Sequence, residues 1–142
     1  MHNTIKRTVA ELVEKYRTDE PEELCHSLGI VVVDCDLPKV TKGFCMILKT
    51  GTAIVLNQAL DATERRCCIA HELGHAVLHE GLNYMFMSHN TCMVTGRYER
   101  EADLFAAYLL LRELKKDESV TTGSLSCRLG LPEWAISKAL LA

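Results

Sequence analysis

Residues 68–79, CIAHELGHAVLH, combine three histidines and one glutamate in a segment that is otherwise apolar or small. His71 and His75 are four residues apart, so on a helix they lie about 40° apart and one turn along the same face. Two imidazoles placed in this way can share one tetrahedral metal ion. Glu72 lies about 100° around the helix from His71, beside the metal, where a carboxylate can take a proton from water. H-E-x-x-H is the pattern of zinc metallopeptidases, and it predicts a zinc site here.

The simpler alternative is a helix whose histidines are only packed or capped. H-E-x-x-H also arises by chance, so its surroundings have to support the metal. The surroundings are apolar, and imidazoles on a largely buried helix need polar partners, because an unpaired polar group in a core is costly. This context favours zinc, and the apolar neighbours that provide it are Ile69, Ala70, Leu73, Ala76, Val77 and Leu78.

A catalytic zinc takes three protein ligands and keeps one position open for water. His79 is near in sequence, but on a helix it lies about 80° around and about 12 Å along from His71, too far to share its metal. We expect His79 to orient a neighbouring side chain or to cap the helix end, and the alternative is that it supports a metal ligand from behind.

A second strong helix, predicted over residues 97–114, offers better candidates for the third ligand. Glu99 and Glu101 are both possible, and helix geometry favours Glu99, with Glu101 expected to point elsewhere. Glu99 and Asp103 form E-x-x-x-D on one face, so Asp103 would accept a hydrogen bond from the free ring nitrogen of a ligating histidine. The alternative is that all three acids are solvated in the first helical turn, where the helix dipole favours them.

The residues before this motif are predicted to form two helices and three strands. Apolar residues at helical spacing predict a helix over residues 4–17, and a shorter helix is expected to end at Gly29. IVVVDC, residues 30–35, indicates a buried strand from its β-branched run. Residues 43–48 and 52–57 are predicted to form a hairpin with a short turn between them.

The H-E-x-x-H helix is predicted over residues 61–80. Asp61 and Glu64 fit a capping box at its start, and Gly81 follows its end. Residues 82–96 show no clear period and indicate a loop or flap.

Two short C-terminal helices are predicted over residues 122–142, broken at Gly130, with a polar linker before them. The order of helices, then a small sheet, then helices favours a single α+β domain over residues 1–142. The C-terminal pair loosely resembles a helix-turn-helix. Its second helix carries Glu133 and, as its one basic residue, Lys138, so contacts with phosphate look poor and direct nucleic-acid binding is not expected.

Composition excludes several classes of protein. The net charge of −3 gives no general attraction to phosphate backbones or to anionic membranes. The longest apolar run, residues 104–111, is far shorter than the ~20 residues of a membrane span. The start, MHNTIKRTVAELVEK, has no apolar signal region, which predicts a cytoplasmic location.

The seven cysteines are odd in number and include no C-x-x-C pair. They are predicted to be reduced, mostly buried thiols, as expected in a cytoplasm. A structural zinc site built from them is the alternative, which their spacing does not support. They are Cys25, Cys35, Cys45, Cys67, Cys68, Cys92 and Cys127.

HELGHAVLH followed by YEREADLFAAYLLL is similar to the ImmA/IrrE metallopeptidases. The similarity extends to GTAIVLN and, more weakly, to EPEELCHSLGIVVV. It implies a small zincin-like domain that cleaves or inactivates a helix-turn-helix repressor with zinc, as in prophages and integrative elements. No large C-terminal sensor domain is seen, so the short ImmA-like form of the family fits better than the longer form.

The resemblance also implies roles for individual residues. His71 and His75 are the histidine ligands, Glu72 is the general base, and Glu99 is the third ligand, which gives a gluzincin-like set. Asp103 stands where the family often has asparagine, and either residue can accept the same hydrogen bond.

Two further functions remain open beside the peptidase. A zinc-containing module could bind and sequester the repressor without cutting it, or the C-terminal helices could bind DNA. The group that stabilises the oxyanion is also undetermined, with Tyr84, His89 and Tyr98 as candidates.

Overall fold

The computed structural model describes residues 2–79, 85–87, 96–113 and 121–141. These residues combine α-helices with one four-stranded sheet, so the α+β prediction is confirmed. Among these residues, no helix is long and apolar enough to cross a membrane. The helices and strands are α1 (His2–Tyr16), α2 (Pro21–Ser27), β1 (Val31–Cys35), β2 (Gly43–Leu48), β3 (Gly51–Asn57), α3 (Ala62–Leu78), β4 (Met85–Met87), α4 (Gly96–Leu110), α5 (Thr122–Leu129) and α6 (Glu133–Leu141).

The sheet has the strand order β1-β3-β2-β4. The predicted hairpin is confirmed: β2 and β3 pair antiparallel, with Leu48 opposite Gly51 across the turn. The loop prediction for residues 82–96 is wrong at Met85–Met87, which pair antiparallel with β2. A three-residue strand is too short to show a period of two, so its pairing with β2 specifies it rather than its own sequence. Residues 82–84 and 88–95 lie outside the described residues.

Strand β1 corrects the prediction of a buried strand. It lies at one edge of the sheet, parallel to β3, and Val31 and Val33 are 57% and 38% exposed. A β-branched residue suits any pleated surface, so the valine run identifies a strand without saying whether it is central or at an edge.

The inner face of the sheet packs on α3, which in turn packs on α4, and α1 and α6 lie against α4. Helix α3 is thus enclosed between the sheet and another helix, which explains why its sequence is apolar on most sides. The buried side chains that join these layers include Cys45, Ile47, Ile54, Leu56, Ile69, Leu73, Phe105, Leu109 and Ile136.

Helix α3 begins with the predicted capping box. The Glu64 backbone N–H donates to Asp61 Oδ1 at 2.8 Å, and the Asp61 N–H donates to Glu64 Oε1 at 3.2 Å. The helix ends at Leu78, before the predicted end at residue 80, and His79 is its C-cap residue, with its N–H donating to His75 O. The expected cap role of His79 is therefore confirmed for its backbone.

Helices α3 and α4 approach closely at Gly74. A Cβ atom at this position would lie 3.1 Å from Phe105 Cβ and 3.2 Å from Ala102 Cα. Such distances are shorter than ordinary van der Waals contact, so only glycine fits without displacing α4. The close crossing sets the start of α4 against the middle of α3, where the two histidines of the motif lie.

The C-terminal pair of helices is confirmed. Gly130 ends α5 in the left-handed conformation with φ 77°, and α6 begins at Glu133 directly after Pro132. Helix α5 packs on α3 and α6 packs on α4, so the pair rests on the two helices of the motif.

Candidate metal centre

Three side chains from α3 and α4 converge at the crossing. His71 Nε2 lies 2.9 Å from Glu99 Oε2, and His75 Nε2 lies 3.1 Å from Glu99 Oε1. One ligand atom from each of the three residues lies within 4.8 Å of the others, so the group could hold a metal ion. The structure therefore brings together the three residues that the sequence proposed as ligands.

Asp103 lies behind His71 on the same face of α4 as Glu99. Its Oδ1 is 2.8 Å from His71 Nδ1, the ring nitrogen that does not face Glu99. A carboxylate in this position fixes the rotation of an imidazole and keeps the opposite nitrogen directed at the centre. This is the placement that the E-x-x-x-D spacing predicted.

His75 has a different partner behind it. Its Nδ1 lies 3.0 Å from His79 Nδ1, and His79 Nε2 lies 2.9 Å from Glu101 Oε1. His79 is 4% exposed and Glu101 is 9% exposed, so this chain of contacts is buried. The sequence expectation that Glu101 points elsewhere is correct with respect to the centre, but it missed the contact with His79. The sequence did contain an indication of this contact, because the three histidines follow one another at four-residue steps and therefore lie along one side of α3.

Burial and the contacts among these groups set their charge states. Burial lowers the pKa of His75 to about 4, which keeps its ring neutral and its lone pair available. Burial alone would raise the pKa of Glu99, but the contacts with His71 and His75 outweigh it and bring that pKa to about 2. For His71, burial acts to lower the pKa, and hydrogen bonds to Asp103 and Glu99 outweigh it and raise the pKa well above its usual value.

Glu72 follows His71 directly and is completely buried. Its carboxylate is close enough to contribute to the raised pKa of His71. A cavity of about 240 Å³ adjoins His71 and is bounded by α3, α4 and the turn between α5 and α6. Its walls include Lys42, Cys67, Asp103 and Leu131. The centre thus has a buried carboxylate beside it and space for part of another molecule.

Of the three oxyanion candidates, Tyr98 alone is among the described residues. Its ring packs edge-on against the ring of His79, with 4.6 Å between centroids. Tyr98 therefore adjoins the side of the centre occupied by His75 and His79. Tyr84 and His89 lie outside the described residues.

The donor set suits a zinc ion. Two imidazole nitrogens and one carboxylate are a ligand combination of catalytic zinc sites. Both Nε2 atoms point at one carboxylate, while both Nδ1 atoms have polar partners behind them, so the rings are already turned toward a common point.

Comparison with known proteins agrees with this geometry. The sequence profile of the IrrE N-terminal-like domain matches residues 25–119, which include α3 and α4. The chain belongs to the ImmA/IrrE metallopeptidase family. This confirms the resemblance seen in the sequence.

Two relatives match most of the chain. An "uncharacterized immunity region protein 2" of Bacillus phage phi105 is 39% identical over 110 residues, which cover 78% of this chain and 70% of the relative. "Metallopeptidase ImmA" of Bacillus subtilis (strain 168) is 26% identical over 116 residues, which cover 82% of this chain and 68% of the relative. No solved structure matches the chain.

Proposed function

We propose that this member of the family is a zincin-like, zinc-dependent endopeptidase that cleaves one helix-turn-helix repressor in the cytoplasm. His71, His75 and Glu99 hold the zinc, and Glu72 is the catalytic base. The observation that carries the proposal is the convergence of both motif histidines on Glu99 across the α3–α4 crossing. Membership of a metallopeptidase family supports the reaction type.

Zinc, when bound, would act as a Lewis acid that polarises the scissile carbonyl and lowers the pKa of water. Glu72 accepts the proton of the attacking water and returns it to the leaving amine. Asp103 holds the ring of His71 from behind, so that this ligand stays in place. Removing a positioned general base typically costs about 10²–10⁴-fold in rate.

The choice of a repressor as substrate rests on the relatives. One is named an immunity region protein of a phage, and another is named ImmA. Cleavage of the repressor would switch on the genes of a prophage or integrative element.

Glu72→Gln tests the catalytic proposal. Gln keeps the size of the side chain but cannot take a proton, so the variant should fold and bind zinc normally and lose cleavage. Wild type, Glu72→Gln and the surface control Glu11→Gln are incubated with the helix-turn-helix repressor whose gene lies nearest to that of this chain. The products are identified by mass spectrometry.

One discrete cut by wild type and by Glu11→Gln, with none by Glu72→Gln, is the expected result. Equal cutting by all three proteins would remove Glu72 from the mechanism. If none of them cuts the repressor and mixing still abolishes its DNA binding, the chain is a sequestering module instead.

A further inference from the structure

We propose that His79 and Glu101 form a relay that positions His75 as a metal ligand. The proposal rests on the metal site of the proposed function, but not on peptidase activity. Both residues lie outside the ligand set, and neither belongs to the H-E-x-x-H or E-x-x-x-D pattern. They act through His75, so they are positioning residues.

The proton positions follow from the contacts. When His75 Nε2 gives its lone pair to a metal, the ring proton must sit on Nδ1. That N–H then donates to His79 Nδ1 over 3.0 Å. His79 in turn carries its proton on Nε2 and donates it to the Glu101 carboxylate over 2.9 Å. Both rings are neutral in this arrangement, and each contact has one donor and one acceptor.

Without a metal, the same contacts cannot all be satisfied by neutral rings. His75 Nε2 would carry the proton toward Glu99, and His75 Nδ1 would have to accept from His79. A neutral His79 would then present a lone pair to the Glu101 carboxylate, which repels it. The buried relay is therefore matched to His75 in its metal-binding tautomer.

The surroundings of His79 restrict its ring. Tyr98 packs edge-on against it, and the backbone N–H of His79 is bonded to His75 O at the end of α3. Glu101 lies on α4 and is buried, with the Arg97 guanidinium 3.7 Å from its Oε2. The two ligand histidines are thus supported differently, His71 directly by Asp103 and His75 through a second imidazole.

Paired substitutions at His79 separate a relay from simple packing. Gln offers an oxygen that can accept from His75 and an N–H group that can donate to Glu101, whereas Leu fills the space without either function. Zinc affinity is measured by competition with a chromogenic chelator. Loss of a supporting partner typically weakens metal binding roughly 10–100-fold, so we expect that loss in His79→Leu and a much smaller one in His79→Gln.

The exposed His26 on α2 provides matched controls, since His26→Leu and His26→Gln should both bind zinc like wild type. Circular dichroism spectra verify that each variant is folded. If His79 only packs, the order of zinc affinity is reversed and His79→Leu binds zinc more tightly than His79→Gln, because Leu suits a buried site better than Gln. Equal affinity of both His79 variants, or tighter binding by His79→Leu, would overturn the relay.

A second measurement needs no variant. Nitrogen-15 NMR of the imidazole rings in the zinc-loaded protein should show His75 protonated on Nδ1 and His79 protonated on Nε2. A proton on Nδ1 of His79 would refute the relay even if His79→Leu does not fold. If wild type binds zinc but cuts no repressor, the proposed peptidase activity is overturned and the proposed relay is not affected. Wild type that binds no zinc would overturn both.

Discussion

Glu99 occupies the point at which two imidazole rings meet, 2.9 Å from His71 and 3.1 Å from His75. A third ligand from α3 itself is excluded because His79, one further turn along, is directed at Glu101 instead. A third side chain at the centre therefore has to come from a facing helix, and the first turn of α4 supplies Glu99. A glutamate is long enough to reach both rings across the helix crossing.

The prediction at the scale of single residues concerns the zinc content of the purified protein and of its ligand variants. Wild type purified without added metal should contain one zinc per chain, and His75→Ala and Glu99→Ala should each lose most of it, because each removes one of the three proposed ligands. Elemental analysis measures the ratio. His26→Ala, on the surface of α2, should keep the full zinc content. A His75→Ala protein with one zinc per chain would show that the metal lies elsewhere.

The sequence predicted the placement of those residues whose geometry is fixed within one helix. His71 and His75 share a face of α3, and Glu99 and Asp103 share a face of α4, from spacing alone. The contacts of Glu99 and Asp103 with the histidines also join the two helices, but the metal-site motif indicated them. No motif pairs His79 with Glu101, and the distance between these two residues depends on how the helices pack, so their contact was missed.

Helices α3 and α4 act as the two halves of the site, and Gly74 sets their separation. An added Cβ there would meet Phe105 and the backbone of Ala102, neither of which can move without shifting α4. Any such shift would carry Glu99 and Asp103 away from the histidines. The stability of the crossing and the geometry of the centre are therefore coupled through one glycine.

Gly74→Ala tests this coupling. Overpacking typically costs about 1–3 kcal/mol, while replacing a helical glycine by alanine gains up to about 1 kcal/mol. The added Cβ would meet backbone as well as a side chain, which places the cost in the upper part of that range. We therefore expect a net loss of about 1–2 kcal/mol in the free energy of unfolding, together with weaker zinc binding. Urea denaturation of the zinc-free proteins measures the stability.

Gly123→Ala in α5 is the matched control. Its Cβ would approach the end of the Glu133 side chain at 3.3 Å, which is exposed and can move. We expect no loss of stability or of zinc affinity in this variant. A Gly74→Ala protein as stable as wild type would mean that α4 adjusts freely and that the separation is not set at Gly74.

Local patterns predicted most elements but not their surroundings. The capping box at Asp61 and Glu64 fixed the start of α3, since both of its hydrogen bonds are local. The edge position of β1 and the existence of β4 depend on which strands pair, and that is decided by contacts distant in sequence.

On the scale of the whole molecule, the cysteines differ in how deeply the fold buries them. The six described cysteines form no disulfide, and Cys92 lies outside the described residues. The prediction that they are mostly buried holds for three of the six, Cys25, Cys45 and Cys68. Cys25 on α2 and Cys45 on β2 are completely buried, whereas Cys127 is exposed on α5. Burial thus divides chemically identical groups into accessible and protected ones.

Alkylation kinetics should reproduce this division. The thiolate is the reactive form, and burial raises the pKa of Cys25 to about 12 and raises that of Cys45 as well. Among the described cysteines of the native protein at neutral pH, iodoacetamide should modify Cys127 first, and Cys25 and Cys45 only as fast as the core opens. Peptide mass spectrometry at successive times gives the order. In denaturant without reductant, all seven cysteines of the chain should react. Fewer than seven adducts would reveal a disulfide, and native labelling of Cys25 as fast as that of Cys127 would contradict the packing of α2 and β2 against α3.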